Sequence, residues 1–348
     1  MRSMRSLTMG ILAASLLAAG VVTAAPALAD GSLSVELSIG SGCVSGHKPS
    51  DQPVTVKLRR SNGQLRETKH DDTQELEWLV CFDRHIPAPG DRIQLINGSF
   101  DRTVKVPDLT LGISRVSNVI EGHAPAGKQL RWQYTRCDPG ICTLQVWKTF
   151  TVPSTGRYHK DLSPASIDID GNDAISIEYR TLGQDVFRTR AEAPYFEVNG
   201  DGRLYLSCLP AGDTSVKLRK PDGTLRATAM FQSTGTCRYK FGALRKSGDR
   251  VSPRTGNAVI SSFASDAKLT WPSMALDASG DTMTGRCLKL APYIVYIQRG
   301  NASDPVYGMT DATGHFTNQP GGTFQSGDKL DLICETPRGD RVRIQRTL

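Results

Sequence analysis

One internal duplication constrains this chain more than any single motif. The segment from Val56 reads "VKLRRSNGQLRET", and Val216, 160 residues on, begins "VKLRKPDGTLRAT". The V-K-L-R start, the Gly, the L-R pair and the last Thr recur in step, and Arg60/Lys220 and Asn62/Asp222 are similar pairs. The same offset carries Leu109-Thr110 onto Leu269-Thr270, and an offset of 158 carries "STGRY" (Ser154 to Tyr158) onto "ATGHF" (Ala312 to Phe316). A long unit is therefore used twice. A finer repeat divides it: a turn followed by an alternating strand occurs as "GDRIQL" from Gly90, "GNDAISI" from Gly171, "GDRVSP" from Gly248 and "GDKLDL" from Gly327. After the first and last of these comes a second alternating strand, "RTVKV" from Arg102 and "DRVRI" from Asp340. Four occurrences predict four modules, at 30–108, 109–193, 194–265 and 266–348, each of roughly 80 residues, a normal size for a small sandwich.

The local patterns are those of strands. Leu33, Val35, Leu37 and Ile39 alternate with polar residues, as do Val54, Val56 and Leu58, and Leu204, Leu206 and Cys208. Period two means one buried face. Between the runs, Asn62-Gly63, Asp222-Gly223 and Pro89-Gly90-Asp91 supply the dihedrals that tight turns require. No long segment after residue 29 keeps a 3.6-residue apolar period, so the expected class is all-β, a tandem of β-sandwiches.

Residues 1–29 read as a cleaved signal peptide: Arg2 and Arg5 lead, Met9 to Val22 is almost wholly apolar, and Ala27-Leu28-Ala29 offers a cleavage site. The apolar run falls short of a span of ~20 residues and none follows it, so the mature chain is expected to be secreted, with no membrane span. Removing Arg2 and Arg5 lowers the net charge from +7 to +5, a balance too mild for a dedicated nucleic-acid binder. All eight Cys residues lie beyond residue 29, an even number in an exported chain, and two fall in each module. The expected disulfides are Cys43 with Cys81, Cys137 with Cys142, Cys208 with Cys237, and Cys287 with Cys334. A sandwich this small is marginal without a staple, and a closed loop contributes roughly 2–4 kcal/mol.

The succession "TG-x-aromatic", a polar stretch, then "GD-x-apolar-x-apolar" resembles the tandem bacterial immunoglobulin-like repeats of secreted and surface proteins. The likeness covers all four modules in outline. It departs from antibody-type domains, because modules one, three and four lack the Trp usual between paired Cys residues. The resemblance implies binding, adhesion or spacing and transfers no catalytic residue.

Catalysis finds no motif: the six His residues are dispersed, and no G-x-S-x-G, H-E-x-x-H, phosphate loop or dinucleotide glycine pattern occurs. No enzyme and no cofactor is expected. The ligand-facing candidates are the duplicated basic hairpins. If Asn62-Gly63 is a two-residue turn, Arg59 faces Arg66, and Asp222-Gly223 likewise sets Arg219 opposite Arg226. With Lys57 and Lys217 these make cationic strips suited to an anionic cell-surface polymer or glycan. A charged edge kept soluble is the alternative. "DIDGND" places Asp168, Asp170 and Asp173 in a Gly turn as a calcium candidate, without an EF-hand spacing. Trp132, Tyr134 and Trp147 are expected to face inward as core. Two functions follow: a secreted, non-enzymatic binding or adhesion array, or a structural spacer or assembly subunit that self-associates.

Overall fold

A computed structural model of the chain describes residues 33–138, 141–235, 237–300 and 302–348, so the expected signal peptide lies outside the described residues. Strands dominate the described residues. One 3-10 turn, Ser163–Ala165, interrupts them, and no helix among them is long and apolar enough to cross a membrane.

Two seven-stranded sheets organise the architecture. In the first, the order is Ile141–Thr151, Gln129–Asp138, Ala174–Arg180, Val186–Glu192, Glu36–Ser38, Cys43–His47, Glu77–Cys81. In the second, it is Lys240–Ala243, Arg203–Ser207, Tyr195–Asn199, Arg341–Thr347, Lys329–Glu335, Pro292–Arg299, Ala302–Met309. Smaller sheets pack against them. The strands Leu65–Asp71, Val54–Arg59, Arg92–Asn97 and Phe100–Lys105 form a four-stranded layer, and their inward residues Val56, Leu58, Ile93 and Leu95 are fully buried. Alternation explains this, because successive side chains point to opposite faces and only the apolar set can face the core.

Each seven-stranded sheet is joined across a predicted module boundary by a parallel pairing. Glu36–Ser38 runs parallel to Val186–Glu192 with Glu36 beside Val186, and Tyr195–Asn199 runs parallel to Arg341–Thr347 with Glu197 beside Arg341. The other strand pairs described are antiparallel. The hydrophobic core accordingly forms two clusters, one from Leu33 to Ala193 and one from Phe196 to Val342. Cystines join Cys43–Cys81, Cys137–Cys142, Cys208–Cys237 and Cys287–Cys334, the four pairs anticipated, and no described Cys is free.

Trp132 and Tyr134 are buried, but Trp147 is not: it is 41% exposed, and the Arg131 guanidinium lies 3.2 Å from its ring centre. The inward assignment of Trp147 is therefore corrected. Trp147 pairs with Gln133, and paired residues share a face, so it stands on the face opposite Trp132.

Candidate functional site

The two basic hairpins share one geometry, and it is not the expected two-residue turn. Gly63 N–H donates to the Arg60 carbonyl and Arg60 N–H to the Gln64 carbonyl; Gly223 and Lys220 do the same with Lys220 and Thr224. This is a three-residue loop whose third residue is left-handed, at φ +88° in Gly63 and +83° in Gly223. Such a loop ends in a bulge, so Arg59 pairs with Leu65 and Arg219 with Leu225. Arg66 and Arg226 become the extra residues of their bulges. The expectation that Arg59 faces Arg66, and Arg219 faces Arg226, is corrected accordingly.

The displaced arginines find acceptors. Arg66 donates to Asp91 at 2.6 Å, whereas the equivalent Arg226 donates to Asn257 at 2.6 Å, a neutral group. Arg59 is held by Gln94 and the Gly63 carbonyl, and Arg219 by the Gly223 carbonyl. Lys57 is half-buried and Lys217 exposed. The first hairpin is thus partly neutralised, while the second keeps its positive charge and has Arg254 close enough to lower, with burial, the Arg226 guanidinium.

That contrast extends to the whole segment. Residues 194–265 hold eleven Lys and Arg against five Asp and Glu, a net +6, whereas the segment 30–108 holds ten against twelve, a net −2. The overall charge, read as one number, conceals this segregation.

The "DIDGND" turn has a different occupation from the one calcium requires. Arg338 reaches Asp168 at 2.5 Å and Asp170 at 3.1 Å, and Arg136 reaches Asp170 at 2.6 Å. Asp173 accepts from the Tyr134 hydroxyl at 2.6 Å and from the Cys137 N–H at 3.0 Å. Burial pushes the Asp170 carboxyl up to about 6 against the pull of Arg136 and Arg338. Guanidinium and N–H donors hold oxygens that a cation would need, and no cluster of three or more His, Cys, Asp or Glu among the described residues is arranged for a metal ion. This turn joins the two halves of the chain instead. Arg115, buried, forms a two-pronged pair with Asp340 at 3.1 and 2.9 Å, donates to the Pro194 carbonyl at 2.7 Å and contacts Asp266 at 3.3 Å. Burial raises the Asp340 carboxyl to about 6 against the pull of Arg115.

Sequence reasoning passed over a second duplicated device. Asp185 accepts the Val35 N–H and Asp340 the Phe196 N–H, both at 3.1 Å, each fixing the backbone of a strand to a loop far along the chain. Beside them, Arg188 bridges Glu36 and Glu178, and Arg343 bridges Glu197 and Asp331. Its trace in the sequence is the pair "TLGQDVFR" and "TPRGDRVR", from Thr181 and Thr336, too short to stand out unaided.

No family model matches the chain, and no curated protein matches it. Solved structures similar to it include a tetra-tandem repeat from the extending region of a large adhesion protein, at 12% identity and TM-score 0.19, over 90% of this chain and 98% of that one. Another is the BSP domain of a biofilm-associated protein, at 8% identity and TM-score 0.20, over 91% and 95%. A third is Escherichia coli alpha-2-macroglobulin activated by porcine elastase, at 9% identity and TM-score 0.17, over 91% and 43%. At these TM-scores the likenesses carry no argument about what the chain is or does.

Proposed function

We propose that the chain is a secreted, non-enzymatic binding array, four immunoglobulin-like modules at 30–108, 109–193, 194–265 and 266–348 behind a signal peptide at 1–29, that attaches to an anionic polymer or glycan at a cell surface. The observation that carries the reading is the net +6 gathered in residues 194–265, where Lys217, Arg219, Arg226 and Arg254 share one hairpin and its neighbour. A concentrated cationic surface attracts a polyanion over a Debye length, whereas the same charge spread evenly over the chain does not. Four cystines support an oxidising compartment outside the cytoplasm. The first hairpin, with Lys57, Arg59 and Arg66, has the weaker role because Asp91 already pairs with Arg66.

The test is retention of the oxidised full chain on immobilised dextran sulfate along a salt gradient. Retention should fall as salt rises, and replacing Lys217 and Arg219 by Ser should lower the eluting salt more than replacing Lys57 and Arg59. Failure of the chain to be retained at low salt would remove the binding reading. A stiff spacer would then be the better account, favoured by the parallel pairings that run each seven-stranded sheet across a module boundary.

A further inference from the structure

The basic segment carries a groove in which aromatic rings lie among guanidinium groups. It is an open groove of about 670 Å³, lined in part by Arg203, Tyr205, Phe241, Arg245 and Arg250. Its shape follows from a strand that changes sheets. Lys240–Ala243 pairs with Arg203–Ser207 in the seven-stranded sheet, Leu244 is buried, and Arg245–Lys246 then joins the sheet of Leu225–Ser233 through the Thr228–Arg245 pair. Gly242 permits the crossing, because a Cβ there would stand 2.6 Å from the Phe231 ring. Gly202, at φ +84°, brings Arg203 beside Arg250, and a Cβ on it would meet the Val251 carbonyl at 2.4 Å.

Along this corner Tyr205 and Phe241 are direct cross-strand partners, with ring centres 5.2 Å apart and planes at 83°. Tyr239 stands two residues away on the same face, 6.4 Å from Phe241, and its hydroxyl is tied to that of Tyr195 at 2.9 Å. Phe241 is 71% exposed. It presents an apolar ring to solvent beside charged groups.

The charges are equally unusual. Arg245 and Arg250 oppose each other directly across the short hairpin, a like-charge pairing that is destabilising, and the Arg245 guanidinium turns to the Gly248 carbonyl. Asp201 is the carboxylate at hand, 3.3 Å from Arg203 and 3.4 Å from Arg250. The groove therefore offers guanidinium donors for a planar anion and an exposed ring for an apolar face, while Asp201 stands outside its lining.

We infer that this groove binds a hexuronic-acid polysaccharide, with sugar rings against Phe241 and Tyr205 and uronate carboxylates on Arg245 and Arg250. The inference rests on the proposed binding of anionic polymers and names the ligand class of one site. Carboxylate geometry matches the guanidinium fork. Linear polyol phosphates lack the ring face.

The experiment is calorimetric titration of the oxidised full chain with polygalacturonate, its methyl ester, dextran sulfate and a single-stranded oligonucleotide. Polygalacturonate should bind best, and methyl esterification, which removes the charge and keeps the ring, should weaken it. Phe241→Ala and Arg245→Gln alter exposed side chains and should each weaken polygalacturonate roughly tenfold. Equal affinity for the uncharged methyl ester, tighter binding of the oligonucleotide, or an indifferent Phe241→Ala variant overturns the uronate site, and binding of dextran sulfate then decides whether the polyanion reading stands. Silence towards all four probes overturns both.

Discussion

Glu67 shows how much a single carboxylate can hold in this fold. From the strand Leu65–Asp71 it accepts the N–H groups of Asp83 at 2.9 Å and Arg84 at 3.3 Å, and it meets His85 Nδ1 at 3.1 Å and Lys69 at 3.6 Å. It thereby fastens the loop that follows Cys81. The Asp83 N–H bond is the main cause holding its carboxyl down at about 2 rather than 4.5, with His85, Arg84 and Lys69 adding to it against burial. A carboxyl lowered on folding stabilises the folded form above its unfolded value, and that contribution disappears as pH falls through the folded one. The loop 82–85 should therefore keep its amide protection from pH 7 down past pH 4 and lose it only towards pH 2. In Glu67→Gln the step near pH 2 should vanish; NMR titration of the carboxyl carbon with amide exchange checks both. No motif marks this residue in the sequence. The repeat offset places Ala227 at the same position of the second hairpin, so the duplication hides Glu67 rather than revealing it.

At the scale of elements, the hairpin loops separate what was legible from what was not. Period-two runs such as Val54, Val56 and Leu58 located strands and their buried faces, because burial of one face is the dominant force on a strand. Asn62-Gly63 and Asp222-Gly223 located the turns but left their length open, since a left-handed Gly serves both a two-residue turn and a three-residue loop with a bulge. One residue of difference sends Arg66 to Asp91 instead of to Arg59. The groove was hidden more deeply: "RLYLS" and "KFGA" are separated by more than thirty residues, and only their pairing sets Tyr205 opposite Phe241. The bulge itself is testable. Nothing lies within 4 Å of a Cβ built on Gly63 or Gly223, so an Ala there meets no neighbour and is opposed only by its own backbone. Gly63→Ala and Gly223→Ala should each cost about 1–2 kcal/mol. Leu58→Ala, which empties a fully buried position, should cost about 2–5 kcal/mol. Urea unfolding of the oxidised chain distinguishes them, and a hairpin that tolerates Ala at Gly63 without loss would require a different loop.

The whole molecule is organised by using one aspartate position in two ways. Asp185 and Asp340 both anchor the N–H of an incoming first strand, but their arginine partners come from different places. Arg102, on Phe100–Lys105, closes Asp185 within the first half, whereas Arg115 crosses from the first half to close Asp340 in the second. Arg102 is 31% exposed and Arg115 is 1% exposed, so the two pairs have unequal consequences. Removing Arg115 leaves a fully buried carboxylate uncompensated, and breaking one side of such a pair typically costs about 3–5 kcal/mol. Arg115→Met should lower the thermal transition of the chain and split it in calorimetry, because the pair lies where the core from Leu33 to Ala193 meets the core from Phe196 to Val342. Adding Asp340→Asn should recover much of the stability, since Asn is neutral yet keeps an oxygen for the Phe196 N–H. Recovery without restored coupling, seen as two transitions in the double variant, would show that the charge pair joins the halves rather than merely filling a hole. A single unshifted transition in Arg115→Met would mean that the halves are held together by apolar contact alone.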